Sequence, residues 1–182
     1  MFNQFIEKKF KSHARRLNDR EYAEVLDNIV IATTDFVVIN PKGEMLLGKR
    51  SYYPAKGWWI IGGRLMPGES PQEAAARDIK RELKLIISPK RFSYLGTYSM
   101  AWIKRRQAPE KNGTHSMSTI MALFISNKEV ADIKLNEEHK EMKWRRPELV
   151  EKDAKLVPAL RQCAKDILSF LKQYGRKKTN RN

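Results

Sequence analysis

The chain has 182 residues, of which 41% are hydrophobic, and it carries a formal net charge of +15. This length suits one compact domain with short terminal additions, and this hydrophobic fraction is enough for a buried core. No apolar run reaches about 18 residues, so the sequence predicts no membrane span, and the basic N-terminus lacks the apolar stretch of a secretory signal. The one cysteine, Cys163, excludes an intrachain disulfide, and we expect a cytoplasmic protein.

The positive charge predicts a polyanionic partner, because such a field attracts nucleotides, nucleic acid and acidic membrane surfaces. A large part of it lies near the two ends of the chain and in the basic run at residues 104–106. No recognisable nucleic-acid-binding motif accompanies it, so the sequence favours a nucleotide over a nucleic acid as the ligand.

The first elements in chain order are two helices and a β-hairpin. Apolar residues on one side predict a helix over 3–16, and a second short helix is expected over 21–26. Residues 29–39 are rich in β-branched and apolar residues, which is typical of a strand. A turn at 41–43 then leads into a return strand that begins over 44–48.

The best-marked element is a helix that begins after Ser70. Ser70 is a natural N-cap, Pro71 occupies the first helical position, and Glu73 completes a capping box. A short apolar strand over 58–61, which ends at a glycine pair, precedes this helix. Four apolar residues at helical spacing mark its buried face: Ala76, Ile79, Leu83 and Ile86.

Strands are predicted over 92–102 and 117–126, with a polar, basic loop over 104–113 between them, and a short strand is expected at 143–145. A closing helix over 157–174 follows, with Gly175 as its predicted stop. Its expected buried side is formed by Leu160, Ala164, Ile167, Leu171 and Tyr174.

Together these elements predict an α/β (α+β) fold in which a mixed sheet lies between helices, with an extra helix at each end. The chain then divides into an N-terminal helical extension, a main domain, a C-terminal helix packed on that domain and a disordered basic tail, at residues 1–27, 28–156, 157–175 and 176–182.

The glycine pair and the capped helix carry the candidate chemistry. Glycine lets the backbone approach a ligand closely and leaves a carbonyl able to face a metal. On the helix, Asp78 and Glu82 are four residues apart and share a face, while Glu73 and Arg77 have the spacing of an ion pair. Acidic side chains beside exposed carbonyls suit a hard cation such as Mg²⁺, which can neutralise a diphosphate.

This segment resembles the Nudix signature, G-x5-E-x7-R-E-U-x-E-E-x-G-U, in which U is aliphatic. The matching positions are Gly63, Glu69, Arg77, Ile79, Glu82 and Leu85. Asp78 stands for the first glutamate of the second half, Arg81 replaces the first of the paired glutamates, and Lys84 replaces the last glycine. The resemblance implies a Nudix-like α/β/α sandwich. Because Arg81 puts a cation where the family has a metal ligand, we expect fewer bound metals than in a typical member.

Over residues 17–150 the chain is also similar to one branch of the superfamily, the GDP-mannose mannosyl hydrolases, which cleave the sugar carbon–oxygen bond. The resemblance places the family's sugar-contacting aspartate at Asp35 and its two phosphate-contacting arginines at Arg50 and Arg64. It places the general base, a histidine, at His139, so that His139, Arg64 and Asp35 form the expected catalytic set.

The same resemblance implies a set of metal ligands. They are the Gly62 carbonyl and Glu82, with Glu138 at a position where the family has glutamine. It also implies Mg²⁺ or Mn²⁺ as the cofactor, a nucleoside-diphosphate sugar as the substrate, and a homodimer.

The implied activity is hydrolysis of a nucleotide sugar such as GDP-mannose, with water attacking the anomeric carbon and GDP leaving. A diphosphate is already a weak base, so one histidine that activates water suffices. Two alternatives stay open. Asp78, Glu82 and the pair at 137–138 could gather metal for attack at phosphorus, or the lost glutamate and the +15 charge could mark a non-catalytic nucleotide- or nucleic-acid-binding module.

Overall fold

The computed structural model of the protein describes residues 4–8, 10–136 and 139–179, and at 139, 140 and 174–179 it describes the backbone alone. Within these ranges one seven-stranded mixed sheet lies between helices. The strands are β1 (Ile31–Ile39), β2 (Met45–Arg50), β3 (Gly57–Trp59), β4 (Ile61–Arg64), β5 (Ser93–Trp102), β6 (Thr114–Phe124) and β7 (His139–Arg145). The helices are α1 (Asp19–Asn28), α2 (Pro71–Leu83), α3 (Asn127–Ala131), α4 (Pro147–Lys152) and α5 (Pro158–Thr179). The predicted sandwich with an extra helix at each end is confirmed.

The sheet joins strands that are far apart in the sequence. Its main order is β3-β2-β1-β6-β5, while β4 pairs with β1 and β7 pairs with β2. β1 and β6 run parallel, and the other pairs are antiparallel. The pairing of β1 with β4 puts Asp35 opposite Gly62, and the pairing of β2 with β7 puts Arg50 opposite His139.

Alternate residues of the central strand β1 belong to two separate cores, because successive side chains of a strand point to opposite faces. On one face Val38 packs in a cluster with Ile79 of α2. On the other face Val37 packs in a cluster with Ile167 of α5. The two long helices therefore cover opposite sides of the sheet.

The helix α2 begins as its sequence predicts. Ser70 Oγ accepts a hydrogen bond from the Glu73 amide at 3.3 Å, and Glu73 Oε2 accepts one from the Ser70 amide at 2.8 Å. Leu83, the last helical residue, is fully buried. Ile86, however, lies beyond the helix end and is 84% exposed, because Lys84 adopts a left-handed conformation with φ 60° that stops the helix.

The C-terminal helix is longer than predicted. α5 continues through Gly175 to Thr179, so the expected stop at Gly175 is wrong. A glycine inside a helix costs only about 1 kcal/mol, and the basic residues that follow it are favourable near a helix C-terminus. The predicted tail is therefore helical over its first four residues, and residues 180–182 lie outside the described ranges.

The helix predicted over 3–16 does not form among the described residues of that segment. Residues 4–8 and 10–18 run without helical structure up to Asn18, which caps α1. Phe5 is 92% exposed, so the apolar side that predicted this helix lacks a surface to pack on, and a short isolated helix is marginal in water. The second predicted helix is confirmed as α1.

Two strand predictions differ from the structure in their bounds. The strand expected over 58–61 is divided at the fully buried Ile60 into β3 and β4. The short strand expected at 143–145 begins earlier, at His139.

None of the helices in the described ranges combines the length and the apolar character needed to cross a bilayer.

Candidate functional site

A cleft of about 370 Å³ opens beside the pairing of β1 with β4. Arginine side chains contribute its positive charge, and they are Arg50, Arg64, Arg81 and Arg106. Aromatic side chains form much of its wall, and they are Tyr22, Tyr52, Tyr53, Trp59 and Trp102. Asp35 and the glycine pair at Gly62 and Gly63 complete this lining. Guanidinium groups match phosphate oxygens and aromatic rings stack with bases, so this lining suits a nucleotide.

Asp35 is an almost fully buried carboxylate in the wall of the cleft. Its Oδ2 accepts a hydrogen bond from Ser118 Oγ, and its Oδ1 accepts one from Trp59 Nε1 at 3.4 Å. Burial raises the pKa of Asp35, and the Ser118 bond, the Arg50 charge and the Trp59 bond oppose that rise. The sequence places Asp35 in mid-strand, and the structure supplies the partners that a buried acidic group requires.

The glycine pair lies against both β1 and α2. A Cβ atom at Gly62 would come within 2.5 Å of the Asp35 Cα atom and of the Thr34 carbonyl oxygen. A Cβ atom at Gly63 would come within 2.8 Å of Asp78 Oδ2. Only glycine fits these two positions, so the turn stays in close contact with the acidic face of α2.

The helix α2 carries two buried carboxylates, of which Asp78 lies against this turn. Asp78 is 0% exposed and Glu82 is 1% exposed. Arg81 Nη2 lies 2.5 Å from Glu82 Oε1 and 3.2 Å from Asp78 Oδ1, and Arg77 also contacts Asp78. Burial raises the pKa of Asp78 to about 6, although the charges of Arg81 and Arg77 lower it.

Glu69 holds the loop before α2 rather than facing the cleft. It accepts hydrogen bonds from the Met66 amide at 3.0 Å and from Arg77 Nε at 2.7 Å. Arg77 also donates to the Arg64 carbonyl at 2.9 Å. The ion pair expected between Glu73 and Arg77 is wrong, because Glu73 instead caps the helix at Ser70.

The two predicted phosphate-binding arginines lie in the same cleft. The Arg64 guanidinium stacks 4.3 Å from the centre of the Tyr22 ring. Arg50 lies at the end of β2, with the His139 backbone opposite it. The structure brings Asp35, Arg50 and Arg64 together in this cleft. Glu138 and the side chain of His139 lie outside the described residues.

The residues present fit a single divalent cation better than several. Asp78 Oδ2 is buried and has no hydrogen-bond partner in the described part of the chain. The described residues hold no group of three or more histidine, cysteine, aspartate or glutamate side chains that could bind a metal. One hard cation could be held by the Gly62 carbonyl and Glu82, with Asp78 behind them.

Sequence analysis missed the outer wall of the cleft, which comes from α1 and two loops. Tyr52 and Tyr53 follow β2, and Arg106 lies in the loop between β5 and β6. That loop is fastened to α1 by the fully buried Arg105, whose guanidinium donates to Asp27 at 2.7 and 3.1 Å. The one available signal was the pair of adjacent tyrosines in a short polar loop.

Comparison with known proteins agrees with this architecture. Residues 31–167 match the sequence pattern of the NUDIX domain. Over 106 residues the chain is 30% identical to an octanoyltransferase of Myxococcus xanthus, which covers 57% of this chain and 27% of that protein, so the chain spans about a quarter of that relative. Over 129 residues it is 25% identical to the low-salt glycan biosynthesis protein Agl8 of Haloferax volcanii, which covers 70% of this chain and 78% of that protein.

Solved structures show the same fold. The MutT protein from Methanosarcina mazei Go1 is 25% identical, with a TM-score of 0.58 over 80% of this chain and 95% of that chain. The NUDIX domain of Shewanella oneidensis NrtR, solved as a complex with ADP ribose, is 19% identical, with a TM-score of 0.59 over 82% of this chain and 97% of that chain.

Proposed function

We propose, from the premise that this chain belongs to the NUDIX domain family and has the fold of the Nudix hydrolases, that it hydrolyses a nucleoside-diphosphate sugar. Water attacks the anomeric carbon, and the products are a nucleoside diphosphate and the free sugar, with GDP-mannose as the substrate that the resemblance suggests. The observation that carries the proposal is the position of Asp35, Arg50 and Arg64 in one cleft beside the Gly62 turn.

The cleft offers a distinct partner for each part of such a substrate. Arg50 and Arg64 present guanidinium forks that match the two phosphates. The rings of Tyr52 and Tyr53, which line the cleft, suit the base, because aromatic rings stack with bases. Asp35 can accept a hydrogen bond from a sugar hydroxyl, with its own orientation fixed by Trp59 and Ser118.

The chemistry needs one base and a stabilised leaving group. His139 is the proposed base, since a neutral imidazole can take a proton from water at physiological pH. The leaving diphosphate is a weak base, and Arg50 and Arg64 stabilise the charge that it gains. Nudix hydrolases generally use divalent metals such as Mg²⁺, which neutralise diphosphate charge when bound. Gly62, Glu82 and Glu138 are the proposed ligands.

Two further observations favour a nucleotide sugar over other substrates. The relative from Haloferax volcanii carries a name that refers to glycan biosynthesis, and the match covers most of its length. Arg81 stands where the signature has a glutamate, which reduces the number of metals that could assist attack at phosphorus.

A homodimer in the cytoplasm remains part of this proposal, and light scattering in solution tests its oligomeric state.

A screen of turnover tests the proposal. The purified protein is given nucleotide sugars, nucleoside diphosphates and dinucleoside polyphosphates, with and without Mg²⁺, and the products are identified by chromatography. We expect Mg²⁺-dependent release of a nucleoside diphosphate and a free sugar. Release of a nucleoside monophosphate and a sugar phosphate would instead assign the chain to phosphoanhydride cleavage.

Phosphoanhydride cleavage is the second candidate because Asp78, which lies against Gly63, and Glu82 are both buried on α2. These two carboxylates could place a metal for attack at phosphorus. A third reading, a non-catalytic module, rests on the net charge of +15. Metal-independent polyanion binding that weakens steeply with salt, with no turnover of any substrate, would establish it.

A further inference from the structure

Arg81 forms a bridge between the two buried carboxylates of α2. Its Nη2 atom lies 2.5 Å from Glu82 Oε1 and 3.2 Å from Asp78 Oδ1. The carboxylates are 0% and 1% exposed, whereas the Arg81 side chain is 46% exposed. A buried anionic pair is thus covered by a long side chain that reaches it from the surface.

This arrangement has a clear electrostatic reason. Two neighbouring carboxylates repel each other, and burial makes their charged forms costly unless a cation lies between them. In the described structure the cation is the guanidinium of Arg81, together with Arg77 on the Asp78 side. Arg77 is also bound to Glu69, and its side chain is less exposed than that of Arg81, at 35% against 46%.

The same corner is the place where a divalent cation would bind. Asp78 Oδ2 is buried without a hydrogen-bond partner among the described residues, and it lies against Gly63. A Cβ atom at Gly63 would come within 2.8 Å of that oxygen and within 3.2 Å of Arg81 Nη2. The guanidinium, the orphan oxygen and the glycine turn therefore share one small space.

We propose that Arg81 is the resident counter-ion of Asp78 and Glu82 and competes with the divalent metal for them. A guanidinium and a divalent ion repel each other at contact distance, so metal binds only after Arg81 leaves the carboxylates. Arg81 also lines the cleft, and its released side chain can turn toward the phosphates that Arg50 and Arg64 contact. This inference rests on the proposed function, because it assumes a metal site at Glu82.

The competition has a direct consequence for metal binding. In the protein without substrate, the metal must displace an ion pair that is already formed, so wild-type affinity is lowered by the stability of that pair. Removal of the guanidinium leaves the two carboxylates without that competitor. Metal affinity should therefore rise when Arg81 is made neutral, a gain that damage to the helix cannot produce.

Mn²⁺ binding, followed by electron paramagnetic resonance of the free ion, tests this without any activity assay. We expect Arg81→Gln to bind Mn²⁺ about tenfold more tightly than the wild-type protein, a typical size for coupling between two sites. Lys80→Gln is the matched control, since Lys80 is an exposed cation on the same helix. Its affinity should stay within about twofold of wild type. Glu82→Gln in the Arg81→Gln background should abolish the gain.

Several outcomes would overturn the inference. Equal or weaker Mn²⁺ binding by Arg81→Gln would show that Arg81 does not compete with the metal, although the metal site itself would stand. An equal gain in Lys80→Gln would assign the effect to net charge. An absence of Mn²⁺ binding in every variant would overturn both this inference and the metal in the proposed function. If circular dichroism shows that Arg81→Gln does not fold, Arg81→Met replaces it, and no gain there would overturn the proposal, because methionine also removes the positive charge.

Discussion

At the scale of single residues, the proposed reaction depends on a few side chains with separate tasks. In that proposal Arg50 and Arg64 bind the phosphates, Asp35 orients the sugar, and His139 activates water. Of these, His139 is placed by resemblance and by its backbone pairing with Arg50, so its role is the one to test first.

Replacement of His139 by glutamine removes a base without adding charge. We expect turnover to fall by about 10²- to 10⁴-fold, the usual contribution of a general base, while nucleotide affinity changes little. Steady-state kinetics and calorimetric titration with GDP measure the two quantities. His115→Gln is the matched control, because His115 is an exposed histidine that bonds to Ser99 at 2.8 Å. An unchanged rate in His139→Gln would remove this residue from the mechanism.

Gly62 tests the close packing of the turn. In Gly62→Ala the new methyl group meets the backbone at Asp35 and Thr34 at 2.5 Å, and backbone atoms cannot move aside easily. We expect a loss of about 1–3 kcal/mol in the free energy of unfolding. Gly96→Ala is the control, since its methyl group meets the Tyr98 ring at 3.3 Å and a side chain can adjust. Urea denaturation measures the free energy of unfolding of both variants, and equal values would contradict the described contact at Gly62.

At the scale of elements, the cleft depends on how α1 and the loop between β5 and β6 are joined. Arg105 is fully buried, and Asp27 is the carboxylate that pairs with it. Asn112 Nδ2 donates to the same carboxylate at 3.1 Å. This junction fixes the wall that carries Tyr22 and Arg106.

Loss of Asp27 should therefore damage both stability and binding. Asp27→Ala removes the carboxylate partner of the buried Arg105 guanidinium and releases the outer wall of the cleft. We expect a lower unfolding midpoint and a raised KM. Glu24→Ala, an exposed change on the same helix whose carboxylate pairs with Arg20 at 3.6 Å, should do neither. Equal effects of the two variants would show that the pair of Asp27 and Arg105 does not organise this wall.

The short helix α3 is held to the rest of the fold by an acid-sensitive contact. Glu129 pairs with Arg91 and accepts hydrogen bonds at the start of the helix, and these bonds lower its pKa from 4.5 to about 2. Because the folded pKa is the lower one, this stabilisation is present above pH 4.5 and is lost as the pH falls toward 2.

We therefore expect the wild-type protein to lose about 1 kcal/mol more stability than Glu129→Gln between about pH 6 and about pH 2.5, after allowance for partial exposure of the pair. Urea denaturation at the two pH values measures it. Glu148→Gln, an exposed change in the first turn of α4, should keep the wild-type profile. Parallel losses in wild type and Glu129→Gln would refute the assignment.

Sequence could predict the elements whose signals are local, and α2 is the clearest case. Its cap, first proline and buried face depend on residues within a few positions of one another. The helix over 3–16 had a similar pattern but no partner surface, which a pattern cannot reveal. The ion pair of Asp27 and Arg105 joins residues 78 apart, so no local signal could show it. Asp35, Arg50 and Arg64 were selected through resemblance, and sheet pairing explains why they meet.

At the scale of the whole molecule, charge and shape act together. A net charge of +15 attracts anionic ligands, and on the proposed function the arginine-lined cleft selects those with a diphosphate. The same field would also attract nucleic acid, so binding alone does not identify the substrate. The position of the broken bond, by contrast, distinguishes attack at the anomeric carbon from attack at phosphorus.

Hydrolysis of GDP-mannose with Mg²⁺ in water enriched in oxygen-18 is the most direct measurement. If water attacks the anomeric carbon, as this account predicts, mass spectrometry will find the label in mannose and none in GDP. Label in a phosphate product would place the attack at phosphorus and would contradict the central claim.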